Sequence, residues 1–359
     1  MFTKKTLAGL CFALLAWTAA VPAALADTVA LNPDHPNRYK VVKGDTLWDI
    51  SARFLRDPWR WPDVWHINPE IKNPHLIYPD DVIVLRMQDG KPVLQIERAP
   101  QPADMPSNLP TVKLTPQIRV SGMNNAIPAI AMDAIEPFLL RVRVVSASET
   151  ENAPYVVAFE EGRLATGTGS KIYARRMADA TTTRFSIFHR GKAYRNPGAK
   201  KEDILGYEAI QAAEASVERA GDPTTLRITK AYRETLIGDN LFPQEDKDAS
   251  RDFFPHAPEK PITGNIIAVT DGVSKIGRYQ VVVLNVGARD SMEPGHVLAV
   301  LQSGATVRDM IKPGANNMVR LPDERAGLLM VFRTFERVSY ALVMQAERDI
   351  RLYDMVKNP

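Results

Sequence analysis

Six histidines, one cysteine and a scatter of carboxylates are the groups in this chain whose chemistry would be catalytic. The histidines stand at 35, 66, 75, 189, 256 and 296. None pair at i, i+2 or i, i+4, and neither HExxH nor HxH occurs. No metal-ligand set is therefore written locally, and zinc chemistry would need convergence in space. Cys11, the lone cysteine, lies in an apolar run near the N-terminus, so the body of the chain has no thiol nucleophile. A glycosidase needs only a placed Glu with an acidic partner. Glu160, Glu161 and Glu208 are eligible, as is any Glu, so that signal selects nothing. No G-x-S-x-G elbow or S-x-x-K stands in a suitable context. ATGTGSK (165–171) lacks the spacing of a phosphate loop and reads as a hairpin turn. The expectation is a non-enzyme with no cofactor and no metal.

The most organised local signal is YKVVKGDTLWDISARF, residues 39–54. Residues 39–42 favour a strand. Gly44 admits a turn that residues carrying a Cβ resist. Thr46 can cap the following helix, with Asp49 at the third position as an acidic capping box. Leu47, Ile50 and Phe54 fall at i, i+3 and i+7 and give that helix a face to bury. A loop, DPWRWP, follows. Residues 63–68 then read as a second short helix, with Val64 and Ile67 inward. NPEIKNPHLIYPDD is a long loop, and VIVLR (82–86) returns as a strand. The order is β-α-α-β.

These residues, from Tyr39 through Gly44, Asp45, Thr46, Leu47 and Trp48 to Ile50, resemble the lysin motif, or LysM, a module that binds peptidoglycan and chitin. Asn68, Asn73-Pro74, Ile77-Tyr78-Pro79 and residues 82–85 resemble its second half. The resemblance implies a site for N-acetylglucosamine between two stretches. Gly44, Asp45, Thr46 and Leu47 form one side; Asn73, Pro74, His75, Leu76 and Ile77 form the other. Turn backbone groups would hydrogen-bond the acetamido group, and apolar side chains would cover its methyl. Ile50 and Ile77 are expected in the core, and Trp48 as a packing residue. Two departures stand out. Pro79-Asp80-Asp81 replaces the family's usual Pro-Gly, and DPWRWP enlarges the inter-helix connector. Trp59 and Trp61 in that insertion are possible aromatic contacts, able either to extend the groove or to block it.

The ends bear on location. Lys4 and Lys5, an apolar run over 7–21 and Ala24-Leu25-Ala26 have the three-part pattern of a secretory signal. Residues 8–10 before Cys11 fit a lipidation box poorly. Cleavage after Ala26 would remove the only cysteine, and with it any disulfide. The full chain carries a net charge of +3, which cleavage lowers by two, so no basic field for nucleic acid is expected. No second apolar run is long enough to span a bilayer. The expected location is the periplasm, at the cell wall.

Beyond residue 137 the pattern turns to β. Residues 139–145, 155–159, 184–190, 264–270, 279–286, 296–301, 326–335 and 338–346 alternate or are enriched in β-branched and aromatic types. A repeat aligns residues 226–242 with 341–357 without gaps. It matches Arg233-Glu234 to Arg348-Asp349, Asp239 to Asp354 and Leu241 to Val356. Gly206 and Gly327 lead the preceding run in each copy. EAIQAAEASVERA (208–220) has helix-forming composition, but the repeat makes it a strand, and strand is the expectation. The fold class expected is α+β, a βααβ LysM domain followed by mainly-β small barrels or sandwiches, duplicated. The units are a signal at 1–26, a leader at 27–37, LysM at 38–87, and a proline-rich connector at 88–137. β-rich domains follow at 138–245 and 260–359. Within the connector, residues 127–138 are apolar enough to lie against a domain.

The function implied is an exported, non-catalytic protein that recognises N-acetylglucosamine-containing glycan and holds its β-domains at the wall. An envelope protein or self-association is the further partner expected of the β-domains. A peptidoglycan-remodelling hydrolase with an unrecognised site, and a structural subunit of a flagellar or secretion assembly, remain as alternatives.

Overall fold

The computed structural model of the chain describes residues 29–65, 77–97, 127–160, 165–177, 182–201, 203–244, 253–270, 275–311 and 318–359. The signal-like residues 1–26 and the groove residues Asn73, Pro74, His75 and Leu76 lie outside that set.

Strand β1 (Arg38–Lys40) enters the Gly44 turn, where φ is +98°. Helix α1 (Leu47–Phe54) follows. Thr46 caps it as the sequence predicts. Its Oγ1 accepts the Asp49 N–H at 3.1 Å and donates to the Asp49 carboxylate at 2.7 Å. Leu47, Ile50 and Phe54 are buried. The DPWRWP stretch is not a loop. Pro58–Arg60 makes a 3-10 turn and α2 (Trp61–Val64) continues from it, earlier than the expected start at 63. A proline in the first turn fits there because its missing N–H would have had no intrahelical partner.

Strand β2 (Val82–Gln88) pairs antiparallel with β1, Tyr39 opposite Ile83. A third strand, β3 (Lys91–Glu97), returns along β2 through Asp89-Gly90, both with positive φ. By composition these residues belong to the proline-rich connector; the structure makes them a strand of the N-terminal sheet. Pro92 suits β3 because the strand is an edge of the sheet.

Asp80, where the resemblance leads one to expect glycine, lies in the left-handed region with φ of +80°. Its N–H donates to the Val41 carbonyl at 2.9 Å, and Val41 N–H donates to that of Asp81 at 2.9 Å, so the turn is held against the end of β1. The left-handed region costs a residue with a Cβ about 1–2 kcal/mol, less for Asp. A glycine there adds unfolded-state entropy, which offsets part of the gain. The Lys40–Asp80 ion pair, 2.8 Å long and largely exposed, contributes little. Asp80→Gly is therefore expected to raise stability by about 0.5 kcal/mol, read as a higher urea midpoint.

The C-terminal part is two β units of one topology. In the first, the strand order is Thr224–Ala231, Lys171–Arg175, Tyr155–Phe159, Asn240–Pro243, Arg184–Arg195, Ile204–Arg219, Val142–Val145. Thr224–Ala231 also pairs with Ile204–Arg219, which joins the ends into a circuit and leaves Val142–Val145 outside it. In the second, a closed barrel runs Thr263–Val269, Val281–Leu284, Ser339–Ala346, Glu324–Thr334, Val297–Gln302, Met355–Lys357 and back. Numbered by chain order within each circuit, both pair as 1-2-5-4-3-6.

The repeat is thus structural. Asp239 accepts the Leu236 N–H at 2.8 Å, and Asp354 the Arg351 N–H at 2.8 Å, the same turn in each copy. Residues 208–219 lie in a strand. Pairing with Arg184–Arg195 on one edge and Thr224–Ala231 on the other outweighs their helix propensity. ATGTGSK is a turn at Gly169, but not a hairpin. Thr166 pairs with Thr235 and Lys171 with Arg227, on different strands.

LysM is not a bead on a string. Helix α3 (Met132–Leu140) grows from the end of the connector, and one apolar cluster joins α1, α2, Ile127, Ile130, Ile135 and the second barrel. Arg333 of that barrel donates to the Phe138 carbonyl at 2.6 Å and to that of Leu139 at 3.1 Å, capping α3. The docking of residues 127–138 agrees with their composition.

Candidate functional site

The turn side of the groove is built from short-range bonds. Asp45 accepts the Val42 N–H at 2.9 Å and the Tyr39 hydroxyl at 3.0 Å, so its carboxylate is spent on the turn. Thr46 is spent on the cap. Leu47 and Ile77 are buried, so their side chains are walls and floor. The polar groups of these two stretches that reach a third segment are backbone: the first two amides of α1, on Leu47 and Trp48, and the Ile77 carbonyl. A helix N-terminus presents donors without intrahelical partners, the group an acetamido carbonyl needs.

Those groups are already engaged. Leu47 N–H donates to the Pro128 carbonyl at 3.0 Å, and Trp48 N–H to that of Ala129 at 3.2 Å. On the far side, Ile127 N–H donates to the Ile77 carbonyl at 2.8 Å. Residues 127–130 therefore lie between the two walls. Nothing in the sequence identified them as groove residues, since the contact joins segments far apart in the chain.

The tryptophans divide. Trp48 is fully buried, as expected of a packing residue. Trp61 is 1% exposed and offers no face to a sugar. Its ring lies 6.5 Å from that of Trp65, edge-on, and 6.3 Å from that of Phe254. Of the two roles open to it, burial leaves Trp61 as a plug between the N-terminal module and the β region. Trp59 is partly buried against the same cluster, with the Arg60 guanidinium 5.9 Å from its ring centre.

Asp49 ties the module to the second barrel. Arg278 pairs with one carboxylate oxygen, and the Tyr279 hydroxyl donates to the two at 2.9 and 3.1 Å. Burial, then the bond to Asp49, push the Tyr279 phenol up to about 12. Arg325 adds a 3.6 Å pair with Asp57.

Elsewhere, His256, Glu293 and His296 bring ligand-type atoms within 4.8 Å of one another. This is the spatial convergence that local spacing could not reveal. His256 Nδ1 lies 2.9 Å from the Phe254 carbonyl and donates to it. His296 Nδ1 accepts the Glu293 N–H at 3.1 Å, which leaves its proton on Nε2. A ligating nitrogen needs a free lone pair, which His296 Nε2 in this arrangement does not offer.

Burial, then the neighbouring His256, hold His296 below its ordinary value of 6.5; Glu293 and Glu259 oppose this. Folded and unfolded chains are both neutral here above 6.5. As pH falls through that value the unfolded chain gains a proton first, and stability is lost. His296→Asn, whose Oδ1 can accept the same N–H, is expected to flatten the fall in urea midpoint between pH 7.5 and 5.5.

Among the described residues, some of the eligible carboxylates have structural duties. Glu149 closes a capping box with Ser146, and pairs with Arg143 at 3.7 Å, beside a cleft of about 680 Å³. Glu160 pairs with Lys171 at 3.7 Å; Glu161 is outside the described residues. Glu208 lies against Gly191, near the Tyr194–Tyr340 hydroxyl contact. Asp239 also binds His189 at 2.8 Å, in a cleft of about 470 Å³.

The model of the LysM domain family matches residues 39–86. Residues 39–86 are a LysM domain. A Bacillus subtilis (strain 168) protein described as uncharacterized protein YqbP is 46% identical over 33 residues. That stretch is 9% of this chain and 15% of YqbP, so the similarity spans a small part of either protein. Carbohydrate binding, with peptidoglycan as the general ligand, is the role of a LysM domain. Among the described residues no helix is long and apolar enough to cross a membrane.

Proposed function

We propose that the chain is an exported, non-catalytic peptidoglycan-binding protein that uses its LysM domain to hold the two β units at the cell wall. The observation that carries this is the match of residues 39–86 to the LysM domain family, with the α1 amides and the Ile77 carbonyl as the backbone groups a glycan would use in place of residues 127–129. Neutral backbone donors and apolar walls suit an N-acetylglucosamine unit. The three-part pattern of residues 1–26 supports export to the periplasm. The engagement of Glu149, Glu160 and Asp239 in caps, turns and ion pairs supports a non-catalytic role.

A second reading, a structural subunit of an envelope assembly, is favoured by one surface. Strands Thr306–Arg308 and Met318–Arg320 pair antiparallel, and Val307, Met318 and Val319 on them and Met310, Ile311 and Leu321 beside them are exposed. Exposed apolar patches of this kind mark protein contacts. The two readings are compatible: LysM would fix position and the barrel would meet a protein.

The test is co-sedimentation of residues 27–359 with purified sacculi, with muropeptide release read in the same tubes. Pelleting that soluble N-acetylglucosamine oligomers reverse, without release, is expected. Release of muropeptides overturns the non-catalytic assignment. Failure to pellet, with soluble oligomers also not bound, overturns glycan recognition.

A further inference from the structure

We infer that residues 127–130, Ile-Pro-Ala-Ile, are a resident peptide ligand of the LysM groove, and that glycan must displace them to bind. The inference rests on the glycan-binding reading above and adds the regulation of that site.

The segment uses both walls. Pro128 and Ala129 carbonyls take the Leu47 and Trp48 amides, and the Ile127 amide takes the Ile77 carbonyl. Thr46 Oγ1 takes the third amide, on Asp49. All three donors at the start of α1 are therefore met from within the chain. Ile127, Ala129 and Ile130 are buried, at 4%, 3% and 1% exposure, while Pro128 faces out.

The chemistry copies the sugar's. An acetamido group offers a carbonyl acceptor, an N–H donor and a methyl. The segment offers two carbonyl acceptors, one N–H donor and apolar side chains. Two ligands that need the same amides cannot occupy them together.

The segment is also tethered. α3 follows at Met132, buries Ile135, sets Phe138 6.2 Å from Tyr340, and is capped by Arg333. An intramolecular ligand acts at an effective concentration on the order of mM. A weak glycan site then shows an apparent affinity reduced by the fraction of molecules whose groove is open. Binding would draw on the α3 contact with the second barrel, coupling wall attachment to the β units.

The test compares the chain from residue 27 with an Ile127→Ser, Ile130→Ser variant, titrated calorimetrically with the N-acetylglucosamine tetramer. Both substitutions leave the residues of α1 and residue 77 themselves unchanged, although Ile127 and Ile130 pack in the same apolar cluster. The variant is expected to bind at least about tenfold more tightly. Equal affinities overturn the resident-ligand assignment and leave glycan recognition standing. No binding by either overturns both. Amide exchange on the unsubstituted chain needs no variant. The Ile127 amide is expected to be protected when free and to lose protection with saturating tetramer, while Leu47 and Trp48 stay protected. Continued protection of Ile127 in the bound state overturns the assignment.

Discussion

Trp61→Ala lowers the stability of the LysM unit by about 3–5 kcal/mol, the range for emptying a large buried aromatic site. The indole is 1% exposed and lies between Trp65 and Phe254. Truncation leaves a cavity on α2 at the seam with the β region, and the short helix has few other contacts to close it. Trp61→Phe should cost far less. It keeps most of the packing and removes an indole N–H that has no hydrogen-bond partner among the described residues. Urea unfolding followed by tryptophan fluorescence reads both. The alanine variant is expected to show an early transition while the second barrel stays folded. A loss below 1 kcal/mol would mean that the seam does not carry the module.

Gly327→Ala is the second large effect, about 2–3 kcal/mol from overpacking. A Cβ there would overlap the Gln345 carbonyl oxygen, and the neighbouring strand is fixed by the pairing of Gly327 with Ala346. Relief would require that strand to shift at a point where the barrel already carries a register irregularity. Gly206, which leads the matching run in the first unit, meets Val144 Cγ1, a side chain that can turn aside. The same substitution at 206 should cost less. Thermal unfolding of the two variants side by side checks the order; equal losses would contradict it.

Local chemistry explains what the sequence made legible. Gly44, Thr46 and Asp49 specify a turn and a cap within a few residues, so α1 was readable. The repeat was readable because each Asp, 239 and 354, serves a turn bond to a residue three before it. Residues 208–219 needed the repeat, since their own propensity points to helix and only neighbouring strands decide. The β3 hairpin carried a local signal in Asp89-Gly90, but Pro92 and the prolines after it masked the signal. Trp61 could be read from the sequence as sugar contact or as plug, because its fate depends on Phe254, a residue remote in sequence. The groove's occupant was legible only as an apolar stretch that must dock. The residues it docks on are set by tertiary contacts to Leu47, Trp48 and Ile77. His256 and His296 meet through a parallel bridge between separate segments, which no spacing rule sees.

The most direct measurement is a heteronuclear NMR titration of the chain from residue 27 with the N-acetylglucosamine tetramer, following backbone amides. If the groove at the start of α1 is the glycan site, shifts will concentrate at residues 44–48, at Ile77 and at residues 127–130. Shifts confined to the β units, or none at saturating tetramer, would contradict a LysM groove that reads glycan.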